Sequence, residues 1–199
     1  MKKKFDQVYQ FKIILSDIKP PIWRRIQIPE TYSFWDLHVA ITDAMGWADY
    51  HLHEFQMKDL STMEEVRIGM PDEDEDWGIE TLLDYKQKIS DYFSMENKKA
   101  IYLYDFGDGW HHILQLEKII PKEKNTNYPI CTSGKRACPP EDCGGIGGYE
   151  DILKIMKNPK HKEYKDMITW LGGKFDPENF DSYKVHFDDP VKRRKLSYQ

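Results

Sequence analysis

Two alternating β-type runs, Ala100 to Asp105 and Trp110 to Ile119, are separated only by Phe106-Gly107-Asp108-Gly109, and its Asp-Gly pair supplies the backbone freedom of a tight turn. The spacing predicts an antiparallel hairpin, which commits the middle of the chain to a sheet. Around the tip, Tyr102 to His112 gathers two carboxylates, two histidines, two glycines and four aromatic side chains, a richer set than a turn requires. Strand alternation puts Trp110, His112, Leu114 and Leu116 on the inner face and His111 on the outer one.

The same period of two recurs upstream. Val8 to Leu15 is β-branched and aromatic, and Lys19-Pro20-Pro21 ends it because proline denies a ladder donor. Ile22, Arg24, Ile26 and Ile28 then alternate with Trp23, Arg25 and Gln27, which turns the isoleucines inward and places Arg24 near a strand end. Ser33 three residues before Asp36 reads as an acidic capping box for a helix carrying Phe34, Leu37, Ile41 and Met45, stopped at Gly46. His51 to Met57 reads as a strand with His51, His53, Phe55 and Met57 on one face.

Between these elements the sequence predicts loops. Pro71 to Asp76 is a like-charge acidic block that lacks the glycine and terminal glutamate of a calcium loop, so a solvated loop is expected. Ile79 to Gln87 is expected as a short helix. From Pro121 to Gly148 the breakers are too dense for a regular element, and a long Cys/Pro/Gly loop is expected. Helices are then predicted over Tyr149 to Lys157 and around His161 to Leu171, with one further turn from Asp176 to Phe180.

A chain of 199 residues with 40% apolar and 14% aromatic content supports one domain, expected over residues 1–190, followed by a basic tail at 191–199. No run approaches the roughly 20 apolar residues of a membrane span. No apolar signal core follows Met1, and the three cysteines are an odd number, so a soluble chain of the reducing cytoplasm is expected. A net charge of −5 disfavours a surface built to neutralise phosphate, and Lys2 to Lys4 and Lys192 to Lys195 are expected as solvated ends rather than a nucleic-acid site.

Several strings in order resemble the plasmid pRiA4b ORF-3-like family. They are Pro20-Pro21-Ile22-Trp23-Arg24-Arg25, Leu37-His38, Met45-Gly46-Trp47, His51-Leu52, Tyr104 to Trp110 with His112, Cys138-Pro139-Pro140-Glu141-Asp142-Cys143-Gly144-Gly145 with Gly148-Tyr149, and Phe175-Asp176-Pro177. The resemblance implies an α+β domain with a mixed or antiparallel sheet packed against several helices. It carries no biochemical activity with it. Its association with mobile elements hints at DNA transactions, yet no helix-turn-helix, zinc-finger or recombinase signature is present.

Three chemistries compete for the polar residues. Metal binding would draw on His38, His51, His112, Cys138 and Cys143, at positions where the resemblance places histidine and cysteine, with zinc as the ion; Cys138-x4-Cys143 is looser than a zinc knuckle, so the expected cofactor is none. Hydrolysis, including a metal-dependent nuclease-like reaction, would use Asp105, Asp108 and His112 with Glu141 and Asp142, although turn geometry already explains both aspartates. Glu141 and Asp142 would blunt a cysteine nucleophile and repel phosphate from the glycines that follow. The preferred reading is an interaction domain with a protein or peptide partner, whose groove is lined by Trp23, Arg24, Trp47, His51, Asp105, Phe106, Asp108, Trp110, His112, Glu141 and Asp142.

Overall fold

The computed structural model describes residues 4–70 and 81–198, and its spine is one eight-stranded sheet. In chain order the strands are β1 (Gln7–Leu15), β2 (Trp23–Pro29), β3 (His53–Lys58), β4 (Glu65–Gly69), β5 (Thr81–Leu83), β6 (Lys99–Tyr104), β7 (Trp110–Pro121) and β8 (Ile130–Lys135). Their order across the sheet is β5-β4-β3-β6-β7-β1-β2-β8. Only β4 and β5 run parallel, so the sheet is mixed and the fold is α+β. The helices are α1 (Phe34–Met45), α2 (Ile89–Tyr92), α3 (Gly145–Lys157), α4 (Tyr164–Trp170) and α5 (Pro190–Ser197).

The core lies between one face of the sheet and α1. Phe11, Ile13 and Leu15 of β1, Ile26 and Ile28 of β2, Phe55 of β3, Tyr102 and Tyr104 of β6, and Leu114 and Leu116 of β7 are all buried there. Ile22 joins them, so the isoleucines do point inward. The α1 helix begins at the expected box: Asp36 N–H donates to Ser33 Oγ at 3.2 Å, and Ser33 N–H donates to Asp36 Oδ2 at 2.9 Å. Gly46 closes it at φ 95°, a left-handed value that glycine adopts without a Cβ penalty.

The hairpin forms in register, with Tyr104 opposite Trp110 and Tyr102 opposite His112. His112 is buried and His111 exposed, as the alternation predicts. At the tip Asp105 adopts φ 57° and Gly109 φ 68°, and Gly109 N–H donates to the Asp105 carbonyl at 2.7 Å. Asp105 Oδ1 also accepts from Gly107 N–H at 3.0 Å and Asp108 N–H at 3.2 Å, so its carboxylate caps the turn.

Besides the start of α3, four expectations differ from the structure. β8 lies inside the stretch expected as a loop: it gains order by pairing with β2 along its one neighbour, a long-range contact that breaker-rich composition conceals. Residues 81–83 form a strand and Asp84–Lys86 a single 3-10 turn where a short helix was expected, because pairing with β4 overrides local pattern. Residues 79 and 80, the acidic block at 71–76, and Lys2 and Lys3 lie outside the described residues. His51 precedes β3 and does not share the inward face of His53.

The fourth difference is at the C-terminal end. The basic segment is the helix α5, seated against α1, rather than a solvated tail. Trp35 Nε1 donates to the Pro190 carbonyl at 2.8 Å, and Arg193 reaches Asp43 at 2.6 Å. Lys192 and Lys195 remain exposed. Charge density at 192–195 suggests a solvated face; two of the three carboxylates that hold Arg193, Asp43 and Asp49, come from distant parts of the chain.

Candidate functional site

One end of the sheet carries a rim built from three segments. The β6–β7 tip contributes Asp105, Phe106 and Asp108; the turn between α1 and β3 contributes Tyr50, His51 and Leu52; the loop before α3 contributes Glu141 and Asp142. Specific hydrogen bonds fix their meeting. Asp105 N–H donates to the Leu52 carbonyl at 3.0 Å, and Gly144 N–H donates to Asp108 Oδ2 at 3.1 Å. Ala48 N–H donates to Glu141 Oε2 at 2.9 Å, and Tyr104 O–H donates to Glu141 Oε1 at 2.5 Å.

Close backbone approach locks the last of these segments. A Cβ on Gly145, which sits at φ 65°, would come 2.6 Å from the Asp108 carbonyl oxygen. A Cβ on Gly148 would overlap the Cys143 carbonyl oxygen. The glycines after Cys143 therefore let α3 begin at Gly145, four residues earlier than expected, with its first turn pressed against the hairpin tip.

At the rim His51 faces two carboxylates. Its Nε2 lies 3.6 Å from Asp105 Oδ2 and 3.2 Å from Asp142 Oδ1. The His51 ring is partly exposed, Asp142 is mostly exposed, and the Asp105 side chain is nine-tenths buried. Exposed apolar side chains flank the group: Tyr50 at 78%, Phe106 at 38% and Leu52 at 36%. Among the described residues, no lysine or arginine forms an ion pair with Asp105, Asp108, Glu141 or Asp142.

The other residues singled out from the sequence lie elsewhere. Trp47 and Trp110 are buried beneath the rim; Trp47 stacks on Tyr104 at 4.8 Å and donates from Nε1 to the Pro139 carbonyl at 3.0 Å. His112 lies edge-on to Trp47, its Nδ1 3.3 Å from the Tyr102 carbonyl, and burial lowers its pKa to about 3. Arg24 is fully buried: Nε donates to the Ala44 carbonyl at 2.8 Å, and the guanidinium lies 3.7 Å over the Phe180 ring. Trp23 points to the opposite face of the sheet, with Lys12 and Arg25 within about 5 Å of its ring.

His38 joins a different network, one that sequence reasoning missed. Its Nδ1 accepts from Tyr102 O–H at 2.8 Å, and its Nε2 donates to Asp49 Oδ1 at 2.7 Å. Beside it His53 donates to Asp84 Oδ2 at 2.9 Å, and Tyr198 O–H donates to Asp84 Oδ1 at 2.7 Å. Burial works to raise the Asp49 pKa, but His38 and Arg193 outweigh it and hold the carboxyl below its ordinary value. No local spacing announces this set, since its members come from α1, β3, the turn at Asp84 and the C-terminus; His38 and His53 were the only visible signal.

The cysteines are free, and burial pushes the thiols of both Cys138 and Cys143 up to about 12. A thiolate nucleophile at either position is therefore disfavoured at neutral pH. Among the described residues, the one grouping of three or more His, Cys, Asp or Glu side chains with ligand atoms mutually within 4.8 Å is His51, Asp105 and Asp142. His38, His112, Cys138 and Cys143 form no such grouping with His51.

Fold and rim together define a mixed-sheet α+β domain that gathers polar and aromatic side chains from three chain segments at one end of its sheet. The chain belongs to the family of plasmid pRiA4b ORF-3-like proteins, whose family model matches residues 7–184. It is 32% identical over 181 residues to the uncharacterized protein y4hQ of Sinorhizobium fredii, covering 90% of this chain and 87% of that one. It is also similar to the crystal structure of MM3350, a protein of unknown function from Methanosarcina mazei Go1. That match has 49% identity and a TM-score of 0.86, and covers 92% of this chain and all of the other.

Proposed function

We propose that the chain is a non-enzymatic binding module, and that its rim takes a protein or peptide segment presenting an apolar side chain next to a lysine or arginine. The observation that carries this reading is the pairing of exposed Tyr50, Leu52 and Phe106 with four carboxylates, Asp105, Asp108, Glu141 and Asp142, that no lysine or arginine among the described residues neutralises. Aromatic anchors beside uncompensated charge suit recognition by complementarity. Hydrogen bonds to the Glu141 and Asp108 carboxylates tie the rim's segments together, which lowers the ordering cost of binding. The suppressed thiols and buried His112 leave little for covalent catalysis to use.

Fluorescence anisotropy against short peptides combining an aromatic or aliphatic residue with lysine or arginine tests this. Binding should weaken roughly tenfold in Phe106→Ser or Tyr50→Ser, both exposed and outside the core, and should weaken with added salt. Equal affinity for acidic peptides, or indifference to both substitutions, would overturn the reading.

A second reading, a metal-dependent hydrolase, is favoured only by the grouping of His51, Asp105 and Asp142. Its test is hydrolysis of ester or phosphate substrates on adding zinc, lost in His51→Gln.

A further inference from the structure

The rim holds a group of atoms that packing alone leaves unexplained. His51 Nε2 is shut off from solvent yet makes no hydrogen bond: Asp142 Oδ1 lies 3.2 Å away but off the N–H line. Asp105 is arranged in a complementary way. Its Oδ1 takes both turn N–H groups, while Oδ2 faces His51 Nε2 at 3.6 Å from a side chain nine-tenths buried. A solvent-excluded imidazole nitrogen that makes no hydrogen bond, set between two carboxylate oxygens, is costly unless something lies between them.

The spacing identifies what that is. Around an ion bound at about 2.1 Å, two ligand atoms at the tetrahedral angle are about 3.4 Å apart. The two separations from His51 Nε2, 3.2 and 3.6 Å, bracket that value, and all three ligand atoms lie within 4.8 Å of one another. An imidazole nitrogen in the set selects the zinc class of divalent ions over calcium or magnesium, which take oxygen alone.

We propose that His51 Nε2, Asp105 Oδ2 and Asp142 Oδ1 form a three-ligand site for a divalent first-row transition ion such as zinc, with its remaining coordination toward solvent. The Gly107 and Asp108 N–H groups fix the orientation of the Asp105 carboxylate, the part an outer shell plays around a metal. Binding displaces any proton from the His51 imidazole, because only the neutral ring can ligate. A bound ion removes two of the negative charges at the rim and leaves it acidic, so the inference neither needs the peptide reading nor conflicts with it.

The test is titration of zinc alone into the full chain, followed by calorimetry with metal analysis of the dialysed protein. One zinc per chain is expected, weakened at least about tenfold by Asp142→Asn and about a hundredfold by His51→Gln. The variant Cys138→Ser/Cys143→Ser should bind as the parent does. Asp142 is exposed and asparagine tolerates its φ of 56°, so that variant keeps the fold, which circular dichroism verifies. Three results would overturn the proposal: no zinc uptake, which would make the group a histidine–carboxylate contact only; unchanged affinity in His51→Gln; or loss of zinc in the cysteine variant. Peptide binding that persists in chelator would leave the rim reading intact while zinc failure removes this one.

Discussion

The imidazoles of His38 and His53 lie face to face, with ring centroids 3.5 Å apart and planes within 7° of parallel. Each ring donates to its own carboxylate, His38 to Asp49 and His53 to Asp84, so the stack joins α1 to β3 and to the turn at Asp84. Two imidazolium charges at this separation would repel. The His38 pKa is accordingly lowered to about 4, first by burial and then by His53.

Stability should therefore fall as pH drops below neutrality. The folded pKa of His38 lies below its unfolded value of about 6.5, so between those limits the unfolded chain binds the extra proton and stability rises with pH. The contribution is complete above about pH 6.5 and is lost toward pH 4, at up to about 1.4 kcal/mol per unit. His112, lowered to about 3 by burial, acts in the same direction. Urea unfolding at a series of pH values measures the slope, and His38→Gln should flatten it; a stability independent of pH across this window would show that His38 and His112 are not held neutral.

Arg193 should matter far more than the lysines beside it. Its guanidinium meets Asp43 at 2.6 Å, Asp188 at 2.5 Å and Asp49 at 3.5 Å, in a largely buried setting. Arg193→Met should destabilise by about 2 kcal/mol, because it leaves Asp43 and Asp49 without their cation. Lys192→Ala and Lys195→Ala should each stay within about 0.5 kcal/mol. Thermal melts of the three variants decide between a docked helix and a solvated tail.

The glycines before and within α3 should differ sharply in tolerance. Gly148→Ala drives a methyl into the Cys143 carbonyl and should cost about 2 kcal/mol or more, whereas Gly147→Ala meets open space and should be neutral or slightly stabilising. Denaturant midpoints for the pair measure the difference. Equal tolerance would mean that the loop does not approach the helix as described.

Cysteine labelling provides an independent check on the loop. With Cys138 and Cys143 thiols pushed up to about 12 by burial, alkylation of the native chain at neutral pH should be much slower than in urea. Rapid native modification of either residue would contradict the closed geometry, and mass spectrometry of the labelled peptides identifies which one reacted.

The elements legible in the sequence are those whose signal is local. The β6–β7 hairpin, the capped α1, and the division of His111 from His112 all follow from turn chemistry and alternation over a few residues. β8, β5 and the docking of α5 were hidden, because their order comes from partners far along the chain: Arg25 for Ser133, Ile68 for Leu82, Asp43 for Arg193. The rim divides the same way. Its residues stand out in the sequence by type, yet Arg24 and His112, of equal promise by type, are buried elsewhere in the fold.

By itself, the sequence determined a central hairpin, one helix with both ends specified, inward faces for two strands, and a short set of chemically distinctive residues. Alternation and capping are short-range consequences of backbone geometry, so they survive without knowledge of the rest of the chain. Only tertiary structure decided that His51 meets Asp105 and Asp142, that His38 stacks on His53, and that the basic end folds back onto α1. Convergence of side chains from separate segments depends on sheet order and loop path, and those are set by the packing of the whole core.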